Sequence, residues 1–262
     1  MWKKGICLGS VPGEDAAQKF ANAAECGFEG VEVVPMDEAG RQEVRDLCKK
    51  HGLAVTSVMN AGHWQRSLSD PDPGVRKESV AALAESVKTA AAVGTDTVLV
   101  VPAVVKPDVT YEQAWERSVA SLKEALPAAA EHEVCLAVEN VWNKFLLSPV
   151  EFAAYVDGFA SEYLAAYFDV GNILLYGYPD HWVRTLGRRI RRVHVKGFDT
   201  DARKFTYLME GSVDWASVAA ALDDVGYSGY LTAELPIDQA DPLGRLRQIS
   251  TDLDTIIGMS AS

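Results

Sequence analysis

Cysteine is scarce in this chain: four residues, at positions 7, 26, 48 and 135, with no CxxC pair among them. That spacing excludes a disulfide framework and a cysteine-based zinc site. Cys7 and Cys135 fall inside apolar, strand-like runs and read as reduced core residues, while Cys26 and Cys48 lie in helical patterns. Long apolar runs are missing too. No stretch reaches the 18 or so residues that a membrane span needs. The opening "MWKKGICLGS" has two lysines but no long apolar segment behind them, so it does not read as a signal peptide. A cytoplasmic protein is expected. Positive charge is in short supply, 25 Lys and Arg against 37 Asp and Glu, for a net charge of −12. Such a surface repels a phosphate backbone, which argues against a nucleic-acid partner. The densest basic run, "RTLGRRIRR" at 184–192, reads as a helix end leading into a strand. No linker or low-complexity segment divides the chain, so a single domain over 1–262 is expected, and a homo-oligomer is left open.

What is present is a regular alternation. Eight short apolar runs carry strand character: "GICLG" from Gly5, "GVEVV" from Gly30, "AVTSVM" from Ala54, "TVLVV" from Thr97, "VCLAVE" ending at Glu139, "LAAYFD" ending at Asp169, "RVHVK" ending at Lys196 and "YLTAEL" ending at Leu235. Amphipathic segments fill the gaps. "DAAQKFANAAECG" and "VRKESVAALAESVKTAAAVG" both stop at a glycine of the helix-ending kind. "YEQAWERSVASLKEALPAAAEH" holds Pro127, which should kink or interrupt it. "DWASVAAALDDVG" begins at Asp214, a plausible N-cap. Strands alternating with helices make parallel β–α units, and eight of them in 262 residues fit a closed (β/α)8 barrel, which takes about 250. The expected class is α/β, a single TIM barrel.

In that fold the active site lies at the C-terminal mouth of the strands. The polar residues at those ends are Glu32 on strand two, Glu139 on five, Asp169 on six, His194 and Lys196 on seven, and Glu234 on eight; Asn60 and His63 follow strand three. A lone histidine in an apolar strand is ordinarily a hydrogen-bonded core residue. Three carboxylates and one imidazole at the ends of four consecutive strands are different. Buried carboxylates are costly unless something cationic compensates them. Glu139, Asp169, His194 and Glu234 together make an N/O ligand set for a divalent cation. The set suits Mn²⁺, Co²⁺ or Mg²⁺, and Zn²⁺ less well without more nitrogen or sulfur ligands.

The blocks "AVENVWNKFLLSP", "YFDVGN", "RVHVKGFD", "MEGSVDW" and "TAEL" resemble the signature blocks of the sugar-phosphate isomerase/epimerase family with a xylose-isomerase-like barrel. By motif the resemblance is nearest to L-xylulose-5-phosphate 3-epimerase and the ketose 3-epimerases. It implies that Glu139 and Glu234 both bind metal and exchange the substrate's proton, with Asp169 and His194 as the other ligands. It further implies that Glu32 sits near the substrate end and that Glu210 is a loop glutamate at the substrate. His63, Trp142, Asn172 and Lys196 are then candidates for contacting the sugar, with Trp64 and Phe145 as further candidates for lining its pocket. Three positions depart from the pattern. Asn172 and Phe145 stand where free-ketose epimerases carry His and Glu, and Gly197 stands where phosphopentulose epimerases carry Asp. The expected activity is metal-dependent epimerisation or isomerisation of a sugar or sugar phosphate through an enediolate. A dehydratase on the same barrel is the alternative. An endonuclease IV-type nuclease would need more strand-end histidines than this chain offers.

Overall fold

The computed structural model describes residues 1–260. Eight parallel strands close into a barrel: β1 (Lys3–Cys7), β2 (Gly30–Val33), β3 (Ala54–Met59), β4 (Thr97–Val100), β5 (Cys135–Glu139), β6 (Leu164–Asp169), β7 (Ile190–Val195) and, after an inserted hairpin, β10 (Tyr230–Ala233). The hairpin is β8 (Gly197–Asp199) and β9 (Lys204–Thr206), antiparallel and outside the barrel. The helices are α1 (Ala16–Glu25), α2 (Glu38–His51), α3 (Pro73–Val93), α4 (Tyr111–Glu131), α5 (Pro149–Asp157), the one-turn α6 (Val170–Ile173), α7 (Pro179–Leu186), α8 (Trp215–Asp224) and α9 (Pro242–Gly258). The TIM barrel read from the alternation is the observed fold.

Local chemistry sets the helix starts. Asp15, Asp37, Asp72, Ser148, Asp214 and Asp241 each accept a backbone N–H with the side chain at an N-cap. Thr110 and Gln113 form a reciprocal capping box at α4. The same helix runs through Pro127 without a break, contrary to the sequence expectation. Pro127 and Lys123, whose carbonyl loses its helical donor, both lie on the exposed face, where water can serve that carbonyl.

Two strand irregularities matter for the site. Val31 pairs with Val55 but Glu32 pairs with Ser57, so Thr56 is an extra residue in β3. Ala166 pairs with Ile190 but Tyr167 pairs with Arg192, so Arg191 is an extra residue in β7. Each shifts the register of everything downstream towards the mouth, as bulges do near active sites. The second puts His194, rather than Val193, beside Asp169. Strand β1 ends at Cys7 and turns at Leu8–Ser10, two residues before the Gly9 end read from the sequence. That puts a thiol at the mouth.

Candidate active site

The mouth is built from the last residues of β5, β6 and β7 and from Glu234, which directly follows β10. His194 is fully buried and stands at its centre. Its Nδ1 lies 3.1 Å from Glu139 Oε1 and 3.9 Å from Glu234 Oε2. Its Nε2 points the other way, 3.1 Å from Glu32 Oε1 and 3.6 Å from Cys7 Sγ. The Lys196 ammonium bridges Asp169 Oδ2 at 3.0 Å and Glu234 Oε2. One ligand atom each from Glu139, Asp169, His194 and Glu234 lies within 4.8 Å of the other three.

This donor set fits a divalent cation. Four carboxylates, Glu32 among them, face only one imidazole and one ammonium. Asp169 Oδ2 is buried, and the nearby ammonium is not aligned on it as a donor. Its other oxygen accepts the Asn172 backbone N–H at 2.7 Å. Asn140 clamps the Asp169 main chain from both sides, donating to its carbonyl and accepting its N–H at 2.8 Å each. The carboxylate is thereby fixed, with Oδ2 facing the Lys196 ammonium and the neighbouring donor atoms. Gly171 permits the arrangement: a Cβ there would lie 2.6 Å from Lys196 Cγ and 2.7 Å from its carbonyl oxygen.

The same crowding divides the carboxyl groups. Burial pushes the Glu139 carboxyl up to about 7, with Glu234 and Asp169 adding to the shift against His194. Burial also raises Asp169, against the opposing charge of Lys196. For Glu234 burial is again the largest influence, but His194 and Lys196 together outweigh it and hold the carboxyl below its ordinary range. Lys196 is kept charged: burial opposes this, and Asp169, Glu234 and Glu139 prevail.

A cavity of about 260 Å³ opens over these groups. Met59, His63, Trp64 and Asn172 form part of its wall, and Trp142 and Phe205 another part. Trp142 stacks on Phe205 with ring centroids 4.6 Å apart, and the Lys196 ammonium lies 5.0 Å from the Phe205 ring centre. The Trp142 indole N–H donates to the Asn172 carbonyl at 2.9 Å. Phe205 belongs to the hairpin, which leans over the mouth because residue 197 is glycine: a Cβ there would lie 2.2 Å from the Tyr207 carbonyl oxygen. The Asp found at this position in phosphopentulose epimerases has no room here.

A model of the xylose isomerase-like TIM barrel family matches residues 20–256. The chain belongs to that family. Among curated relatives of this family member, SgbU from Escherichia coli (strain K12), named for L-ribulose-5-phosphate 3-epimerase, is 24% identical over 241 residues, covering 85% of this chain and 84% of that protein. Among solved structures, D-psicose 3-epimerase from Clostridium cellulolyticum H10 superposes with a TM-score of 0.84 at 19% identity, covering 99% of this chain and all of that one. The 3-keto-D-glucoside 4-epimerase YcjR from E. coli also gives 0.84, at 18% identity, covering 97% of this chain and 100% of its own.

Against the sequence reading, this barrel brings Glu139, Asp169, His194 and Glu234 to one point and places His63, Trp64, Trp142, Asn172 and Lys196 on the cavity wall. Asn172 also spends its side-chain N–H₂ on the Asn140 carbonyl, 2.9 Å away. Glu32 is not in that wall. It is 2% exposed and lies beneath His194, at the edge of a neighbouring cavity of about 240 Å³. Glu210 does not reach the mouth cavity: it pairs with Arg245 at 2.5 Å. Phe145 is buried among Tyr111, Trp115 and Tyr155, behind the barrel wall. The sequence reading missed Cys7, Ser57, Tyr167 and Phe205. Alternation along β6 offered one signal, since Tyr167 stands two residues before Asp169 and so shares its face.

Proposed function

We propose that this protein is a divalent-metal-dependent carbohydrate epimerase or aldose–ketose isomerase that acts through an enediolate. The observation that carries the proposal is the convergence of Glu139, Asp169, His194 and Glu234 under a small aromatic-walled cavity. The epimerase names of the relatives support it. These four residues would hold the ion, Mn²⁺ first among the candidates. Bound there, the ion supplies Lewis-acid polarisation of a sugar carbonyl and its neighbouring hydroxyl.

The protein's own groups supply the rest. Glu139 and Glu234 come from barrel positions three strands apart and flank the cavity floor. Their environments push their proton affinities in opposite directions. Groups split in this way are suited to acid and base roles. Glu234, held ionised, removes the proton from the carbon next to the carbonyl. Glu139, whose carboxyl burial pushes up to about 7, returns a proton from the opposite face, and the centre inverts. Return at the neighbouring carbon would instead exchange aldose for ketose. Lys196 stabilises the negative oxygen of the enediolate, and Trp142 and Phe205 present an apolar face to the sugar ring.

The test is to incubate the Mn²⁺-loaded protein in D₂O with a panel of ketoses, ketose phosphates and keto-glycosides and to read deuterium uptake by NMR. Deuterium should enter at the carbon beside the carbonyl, in both epimers for an epimerase. Loss of a β-hydroxyl as the sole product would replace this reading with the dehydratase one.

A further inference from the structure

Beneath the ligand cluster lies a second layer of polar groups that the reaction itself does not use. Glu32 is at its centre. Its Oε1 receives His194 Nε2 at 3.1 Å and the Cys7 thiol at 3.2 Å. Its Oε2 accepts the Ser57 hydroxyl at 2.5 Å and the Tyr167 hydroxyl at 2.8 Å. The Tyr167 ring lies against the imidazole, with centroids 4.4 Å apart. Five of the eight barrel strands thus contribute one residue each to hold one carboxylate against one ring nitrogen.

The fold gives up strand regularity to build this. The extra residue in β3 puts Ser57, not Thr56, opposite Glu32. The extra residue in β7, Arg191, falls between the Ala166–Ile190 and Tyr167–Arg192 pairs and resets the pairing from Tyr167 onwards. Both irregularities fall at members of the layer. A carboxylate this buried is expensive unless its lone pairs are filled, and here each oxygen has two partners.

We propose that Glu32 is a positioning residue for the metal site: it holds the proton of His194 on Nε2, so that Nδ1 presents its lone pair to the ion. The proposal rests on the assignment of His194 as a ligand. An imidazole has two nitrogens, and only the one without a proton can bind a metal; a carboxylate behind the ring selects which and raises its donor strength. Nδ1 is the nitrogen that faces Glu139 and Glu234, and Nε2 is the one that faces Glu32. Ser57 and Tyr167 keep Glu32 from turning, and the Cys7 thiol completes its shell. The competing use of the same atoms is a second ion held by Cys7, Glu32 and His194, whose donors also cluster closely.

Mn²⁺ binding by titration calorimetry on the full-length protein separates these. Glu32→Gln keeps shape and removes the charge, and should weaken Mn²⁺ binding by about 10- to 100-fold. Tyr167→Phe removes one hydroxyl bond and should weaken it several-fold, which keeps the test open should Glu32→Gln not fold. Cys7→Ser keeps a hydrogen-bond donor and should bind within about twofold of wild type, at one ion per chain. A second readout is ¹H–¹⁵N NMR of the Zn²⁺-loaded, histidine-labelled protein. Wild type should show a slowly exchanging His194 Nε2–H at low field, and Glu32→Gln should lose it or move it upfield. Unchanged affinity and an unchanged Nε2–H in Glu32→Gln would overturn the proposal alone. Two ions in wild type falling to one in Cys7→Ser would overturn it in favour of the second ion. A wild type that binds neither Mn²⁺ nor Zn²⁺ would overturn both this and the metal reading.

Discussion

The two ends of this barrel are made from the same strands, and the larger cavity is at the end away from the candidate site. At the N-terminal end a cavity of about 800 Å³ lies among Cys135, Asp157, Leu164, Arg189 and Arg191. Two of its arginines are paired near solvent: Arg189 meets Asp157 at 2.6 Å, and Arg191 meets Asp96 at 2.5 Å, which Arg192 shares at 2.7 Å. At the C-terminal end the cavity is a third of that volume, about 260 Å³. There, four acidic side chains crowd one histidine and one lysine, and three of the four are buried. Volume marks where a chain packs loosely. A buried excess of carboxylates over cationic partners marks where a cation would be held.

If that contrast is right, perturbing the mouth should remove activity and perturbing the base should only soften the fold. The largest effect expected is from chelation. Removing the ion should abolish deuterium exchange, Mn²⁺ should restore it, and the melting temperature should drop by roughly 5–10 °C if the ion was present at about 100 times its Kd. Glu139→Gln and Glu234→Gln come next. Each keeps an oxygen able to coordinate but cannot take up the proton, so turnover should fall by about 10² to 10⁴ with some metal retained. In an epimerase the two variants should differ in direction, each washing deuterium slowly into a different epimer. Normal metal binding with near-wild-type turnover in both would move the chemistry to Lys196 or His63.

Gly197→Ala tests the wall instead of the floor. The new methyl would strike the Tyr207 carbonyl and displace the hairpin that carries Phe205. A misplaced wall should lower kcat/KM about tenfold while metal affinity stays unchanged. The smallest effect belongs to the base. Burial pushes the Asp96 carboxyl up, but Arg192, Thr97 and Arg191 together hold it below its ordinary range. A lowered acid contributes stability above its unfolded value, about 3.9, and loses it as the pH falls through the folded one. Asp96→Asn should therefore cost about 0.5–1 kcal/mol at pH 7. The gap to wild type in thermal melts should close below about pH 4, with turnover untouched.

The barrel and the meeting of four strand-end side chains at its mouth were legible in the sequence for one reason. Glu139, Asp169, His194 and Glu234 are charged or polar residues ending runs of Val, Ala, Leu and Phe, and that contrast survives without coordinates. Cys7, Ser57 and Tyr167 offer no such contrast, because all three are ordinary in a strand. Their meeting at Glu32 also depends on register shifts that periodicity does not reveal. The hairpin was hidden because its strands are three residues each, too short for alternation to register. Glu210 was placed by motif alone. Its loop carries it to Arg245, which also lies 3.9 Å from the Tyr207 ring centre.

The account's central claim is that four strand ends gather one divalent ion, and Mn²⁺ titration calorimetry on chelator-stripped protein tests it most directly. Wild type should bind one equivalent, and Asp169→Asn and His194→Ala should each lose most of the affinity while circular dichroism shows the barrel intact. A stripped wild type that takes up no Mn²⁺, Co²⁺, Mg²⁺ or Zn²⁺, or variants that bind as wild type does, would contradict it.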